Sequence, residues 1–320
     1  MILAIVDHDR GMLDELSLQA ITFAASLAPG EPVHALVVGA TGADVAAALG
    51  KYGVAEVHLA AAAGLTDYSA AAVARSAAEL VERLAPDAVV AAGSLRGNET
   101  LAHLGAMTDL PVAIDCSQAQ LGSPTRVTRA RWAGNLIEQA ELDGRPALLS
   151  VLAHSVAAAL PGSGAASVNK FEPALTATDL ATQVMTRVSE GHGGASLVNA
   201  KVIISGGRGV GGPEGFGPLD ELAALLGGAV GCSRVVTSAG WRPHAEQVGQ
   251  TGTKVAPDLY LACGISGATQ HLAGCRNSKT IVVINTDADA PIMANADYAI
   301  IGDLHKILPA VVVATRAARA

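Results

Sequence analysis

The segment LYLACGISGATQHLAG, residues 259–274, carries an apolar run, LYLAC, into Gly264 and then through Ser266, Gly267 and Ala268 into a helical pattern that begins near Ala268. A short apolar run closed by glycine reads as a buried strand. A loop that opens straight into a helix offers unpaired backbone N–H groups and the positive end of the helix dipole to an anion. The same strand–loop–helix rhythm recurs around it, in KVIIS (201–205), LDELAALLGG (219–228), KTIVVIN (279–285) and DYAIIGD (297–303). This predicts an α/β domain with a mostly parallel sheet flanked by helices. Open parallel sheets bind ligands beyond the carboxyl ends of their strands. Here those ends carry SGGRG, SGATQH, INTD and GDL.

Towards the N-terminus the pattern repeats in ILAIV (2–6), VHALVV (33–38), EVHLA (56–60) and DAVVAAG (87–93), separated by helical stretches at 14–28, 43–53 and 69–85. A second parallel α/β sheet is expected. After Pro111, TRVTRARWAG, NLIEQAELDG and RPALLSVLAH are split by AG and DG, which predicts antiparallel strands added to that sheet. Gly- and Ser-rich chain follows, and a linker is expected at 189–200. The expected organisation is an N-terminal domain at 1–188, the linker, and a C-terminal domain at 201–320 that ends in a helix.

Composition narrows the function. Half of the residues are hydrophobic, yet the most apolar stretches, at 148–160 and 310–314, are too short or interrupted to span a membrane. The opening MILAIVDHDRG has no basic region ahead of its apolar run, so a cytoplasmic protein without a secretory signal is expected. A net charge of −8 and sparse aromatics leave no footprint for nucleic acid. Cys116, Cys232, Cys263 and Cys275 stand singly, which suits buried thiols and gives no metal-ligand spacing.

Motifs for other chemistry fail on inspection. KVIISGGRGVGG approaches a dinucleotide fingerprint, but Pro213 and Glu214 interrupt the turn and no acidic residue follows at the required distance. QVGQTGTK (247–254) lacks the glycine spacing and terminal hydroxyl of a phosphate loop. There is no GxSxG elbow and no HExxH. Arg208 could be a solvated loop arginine or a phosphate or flavin ligand. His271 could be a packed helix residue or a ligand beside the anion-binding turn.

Taken in order, SGGRG (205–209), GCSR (231–234), QVGQTG (247–252), LYLACGISGATQH (259–271), KTIVVIN and DYAIIGDL (297–304) resemble the alpha subunit of electron transfer flavoproteins. AIVDHDRG, AAGSLRGNE and the AGN of RWAGN extend the resemblance to the first domain. Leu152 departs from it, standing where many members carry arginine.

The resemblance implies two α/β domains, the second a Rossmann-like FAD-binding domain, and an obligate heterodimer with a beta subunit that holds AMP or, in bifurcating members, a second FAD. It implies an electron carrier, not a side-chain catalyst. Electrons would come from dehydrogenases, such as those of fatty acid β-oxidation, and pass to a membrane quinone oxidoreductase or similar acceptor. An NADH-oxidising bifurcating complex and a non-redox nucleotide-binding subunit are the alternatives.

By motif match, Arg208, Ser233 and the loop Gln247, Val248, Gly249, Gln250, Thr251 and Gly252 would line FAD, with Ser266, Gly267, Ala268, Thr269, Gln270 and His271 continuing the cradle. The resemblance sets the Thr251 hydroxyl at flavin N5, His271 near the C2 carbonyl and Arg234 beside the ring. It sets Asn285, Asp303 and Leu304 at the ribose and adenine end, and no metal is implied. A donor or cation near N1 and the C2 oxygen would stabilise the negative charge that reduction places there. Asp303 could equally be the N-cap of the last helix.

Overall fold

The computed structural model describes residues 1–9, 11–39, 41–65, 67–132, 134–159, 162, 164–184 and 197–319. The chain divides into two compact units, Met1–Arg187 and Val188–Ala320. The expected linker falls largely outside the described residues. Of its last four residues, Leu197 and Ala200 are buried in the core of the second unit.

The first unit runs in chain order through β1 (Ile2–Val6), a small hairpin of β2 (His8–Asp9) and β3 (Met12–Leu13), α1 (Glu15–Leu27), β4 (Val33–Val38), α2 (Gly42–Ala48), β5 (Val54–Ala60) and α3 (Ala70–Leu84). It continues with β6 (Ala88–Ala92), α4 (Leu95–Thr108), β7 (Val112–Gln120), β8 (Thr125–Arg131), β9 (Leu136–Leu142), β10 (Ala147–Val151) and β11 (Ser167–Phe171). Nine strands form one sheet in the order β11, β5, β4, β1, β6, β10, β7, β8, β9. Every residue of β1, β6 and β10 is buried, as expected of strands covered by helices on both faces. Local chemistry starts the helices: Asp14 accepts from the Leu16 N–H, Ser69 Oγ from Ala72 and Ser94 Oγ from Gly97.

The structure corrects the sequence reading at four points here. RPALLSVLAH does not extend an antiparallel ribbon: its strand, β10, lies parallel to both β6 and β7 in the middle of the sheet. Its unbroken apolar run is the mark of such a central strand. The antiparallel part consists of β7, β8 and β9, and β7 was not anticipated because VAIDCSQAQ mixes polar and apolar residues. The stretch from Leu95, where no helix is expected, is helix α4, and the helix expected at 43–53 ends at Ala48 and tightens into a 3₁₀ turn over Leu49–Tyr52.

The second unit contains β12 (Val202–Gly206), α5 (Gly217–Leu226), β13 (Ala229–Cys232), α6 (Arg234–Ser238), β14 (Leu259–Cys263), α7 (Thr269–Cys275), β15 (Ile281–Asn285), β16 (Tyr298–Ile301) and α8 (Leu304–Arg319). Its five strands are all parallel, in the order β13, β12, β14, β15, β16. Counted within the unit this is 2-1-3-4-5, the shorter of the two common doubly wound orders. The reversal lies between β12 and β14. Residues alternate between two apolar layers: Ile203, Tyr260 and Val283 face one, with Val248 and Ile265. Ile204, Leu261 and Ile284 face the other, with Phe216, Leu219 and Leu222 at α5 and Leu304, Leu308 and Val312 of α8. No described helix is long and apolar enough to cross a membrane.

Candidate functional site

All the candidate residues named from the sequence lie at or beyond the carboxyl ends of the second sheet, and the backbone laces those ends together. At the reversal point, Gly207 donates to the Cys263 carbonyl at 2.8 Å and Gly209 to Gly264 at 3.0 Å. A Cβ on Gly207 would stand 2.2 Å from the Gly264 carbonyl oxygen, so the two loops meet as closely as glycine permits. Beside them Ser233 donates from its backbone to Gly206, Val248 to Cys232, and Gln250 to the Gln270 carbonyl at 2.7 Å. Gly302 likewise donates to Asn285, tying the last strand to its neighbour.

The side chains sort into those free to meet a ligand and those already committed. Arg208 and Arg234 are exposed, and neither guanidinium has a partner among the described residues. Arg242 shows what a structural arginine looks like in the same unit. It bonds Asp220 and Glu246 and lies 5.1 Å above the Phe216 ring. Ser266, Ala268, Thr269 and Gln270 are exposed around the start of α7, and Ser233 makes no cap bond at α6. By contrast Val248 and Leu304 point into the core, so only their backbone can reach a ligand. Asn285 is held by its Nδ2 donating to Ile265 and its Oδ1 accepting from Asp287. Asp303 Oδ1 accepts from the His305 N–H, and its carbonyl accepts from Lys306 and Ile307, so it does cap α8.

Thr251 sits at the end of a side-chain relay. Thr237 Oγ1 donates to Gln247 Oε1 at 2.6 Å, and the buried Gln247 amide donates to Thr251 Oγ1 at 3.0 Å. With the amide in this orientation Thr251 accepts, and its own proton is left for an outward donation. The loop holding it needs glycine: Gly249 has φ +147, and a Cβ on Gly252 would meet the Gln247 carbonyl at 2.2 Å.

His271 is only 6% exposed, and its Nε2 lies 2.9 Å from the hydroxyl of the fully buried Tyr260. Burial pushes its pKa down to about 4, with the Val248 backbone opposing part of that shift. Burial also holds the Tyr260 hydroxyl protonated well above its ordinary range. In the tautomer where the phenol donates to Nε2, the proton of the neutral ring sits on Nδ1. Nδ1 is buried, and the Val248 backbone is the ring's other polar contact, short of a well-formed hydrogen bond. Of the donor and cation that the sequence left open for this position, the buried ring is the neutral donor. Sequence reasoning missed Tyr260 and Thr237; the signal for the first was a lone phenol in an otherwise aliphatic strand, and for the second there was none.

The four thiols are buried, each pushed up to about 12 by burial, and are chemically quiet. A cavity of about 770 Å³ in the first unit is lined by Tyr68, Arg75, Glu99, His103 and Asp179, and by none of the candidate residues.

Residues 196–276 match the electron transfer flavoprotein FAD-binding domain, and residues 2–176 match the electron transfer flavoprotein domain. An electron transfer flavoprotein subunit alpha of Thermoanaerobacterium thermosaccharolyticum is 34% identical over 96% of this chain and 94% of its own. One of Mycobacterium leprae is 37% identical over 96% and 95%. Protein FixB of Clostridium saccharobutylicum is 33% identical over 95% and 92%. Both units match models of one family and the relatives align along nearly their whole length, so the chain belongs to the electron transfer flavoproteins, as one of their flavin-binding alpha subunits.

Proposed function

We propose that the chain is a cytoplasmic electron carrier that holds FAD along the carboxyl end of its second sheet and works with a beta subunit. It takes electrons from flavin dehydrogenases and passes them to a quinone oxidoreductase or similar acceptor. The observation that carries this reading is the pair of exposed guanidiniums, Arg208 and Arg234, which follow the carboxyl ends of β12 and β13 and have no partner among the described residues.

FAD, when bound, supplies the one-electron chemistry. The chain's own part is to bind, orient and tune. Arg208 and the amides at the start of the loop before α7 offer positive potential to phosphate. Arg234 and the His271 donor favour negative charge at the edge of the ring they face, and Thr251 directs its proton outward from the Gln247 relay. Asn285 and Leu304 act by shaping the backbone, while the second carboxylate oxygen of Asp303 is available to a ribose hydroxyl.

The test is to co-express the chain with its beta subunit and count flavins released from the purified complex. One FAD per alpha subunit and a visible flavin spectrum are expected, with AMP accounting for any nucleotide in the beta subunit. A colourless complex would overturn the reading, and a second FAD would replace the shuttle by a bifurcating oxidoreductase.

A further inference from the structure

Three side chains of the first unit, far along the chain from the flavin residues, converge on one point. His34 on β4 and Glu56 on β5 are register partners, and His58 follows Glu56 by two residues on the same face of β5. A parallel ladder places such positions side by side and holds them on rigid backbone. His34 Nδ1 lies 3.1 Å from His58 Nε2, and that nitrogen lies 3.7 Å from Glu56 Oε1. One ligating atom from each of the three lies within 4.8 Å of the others.

Zinc bonded at about 2.0–2.1 Å to nitrogen and carboxylate oxygen in a tetrahedron separates neighbouring donors by about 3.3 Å. The two closest separations here bracket that edge. Asn169, the register partner of His58 on β11, donates its amide to Glu56 Oε1 and orients the carboxylate from outside. His58 is buried while His34 and Glu56 are partly exposed, so an ion has a route in and water can complete its shell.

We propose that His34, Glu56 and His58 form a three-ligand site for a divalent zinc ion that pins strands β4 and β5 together. Two imidazoles and one carboxylate form a donor set suited to zinc and not to magnesium or calcium, which prefer oxygen alone. The Arg83 guanidinium, drawn over the Phe171 ring at 4.9 Å, adds positive charge near His58 and limits the affinity. A bare histidine pair sharing one proton is the competing arrangement. The unpartnered Nδ1 of His58 does not discriminate, since both arrangements leave it so. The sequence pattern hid the site because its ligands are split between two strands.

The test uses the full-length chain without an affinity tag, purified with its beta subunit, stripped with a chelator and titrated with zinc chloride by calorimetry. One zinc per alpha subunit is expected, and the thermal midpoint should rise with zinc and not with magnesium. His34→Gln combined with Glu56→Gln, both at partly exposed positions, should weaken that uptake by at least tenfold with flavin content unchanged. Asn169→Ala should weaken it less. Failure of the wild-type complex to take up stoichiometric zinc at micromolar concentration would overturn the site. So would a double variant that binds zinc as tightly as the wild type.

Discussion

Two arginines at similar positions in the chain do different work, and their partners tell them apart. Arg242 is locked between Asp220 and Glu246, whereas Arg234 is exposed and unpaired. Arg234→Ala should therefore leave folding intact and lower the flavin potential by on the order of 60 mV, the one-electron equivalent of tenfold. Stepwise reduction of the complex measures it, and an unchanged potential would remove Arg234 from the ring. His271 makes a pH prediction. Its folded pKa, about 4, lies below the ordinary value of 6.5, so below pH 6.5 the unfolded chain binds a proton that the folded chain refuses. Stability is whole above pH 6.5 and falls towards pH 4, by roughly 3 kcal/mol from this group. Urea unfolding of wild type and His271→Gln at both ends of that range should show a shallower loss in the variant. Asp7 runs the opposite way. Burial raises its carboxyl to about 6, so its contribution is favourable below pH 3.8 and lost as pH rises through 6. Asp7→Asn should accordingly stabilise the protein at pH 8 by about 2 kcal/mol, read from the same unfolding curves.

Among the elements, the loop between β14 and α7 tolerates little change. Gly267 has φ +86, and an added Cβ would lie 2.5 Å from both the backbone nitrogen and the Cβ of Ile292. Ile292 N–H also donates to the Ser266 carbonyl, so the 3₁₀ turn at Pro291–Asn295 fixes the shape of the loop. Gly267→Ala should cost about 1–3 kcal/mol through strain and weaken FAD retention on gel filtration more than Ser266→Ala does. Equal retention by the two variants would mean that the loop shape is not what holds the ligand. The glycines of this loop and the SGGRG motif were legible in the sequence because only glycine allows such approach. The hydrogen bonds that join the loops were not, since they link residues dozens of positions apart, as Gly209 to Gly264.

At the scale of the molecule, the two units have separate cores and contain one tryptophan each, Trp132 and Trp241. We expect them to unfold as distinct steps, and a ligand stabilises only the unit it binds. Variants retaining a single tryptophan should show excess FAD delaying loss of the Trp241 signal and leaving the Trp132 signal unmoved. A common shift of both signals would mean that the units unfold together.

The periodic apolar runs determined, from sequence alone, that the chain is α/β, where most strands and helices lie, and that ligand chemistry gathers at the second half. Local patterning suffices for these because burial of one helix face or both strand faces leaves its period in the residues. Tertiary structure decided the rest. It set β10 in the centre of the first sheet, between β6 and β7, and ordered the second sheet 2-1-3-4-5. It also made His271 a neutral donor and not a cation, because Tyr260 and the surrounding core, distant in sequence, set its solvation and its proton. Strand order and pKa both depend on what packs alongside a residue, and that is settled only when the whole chain has folded.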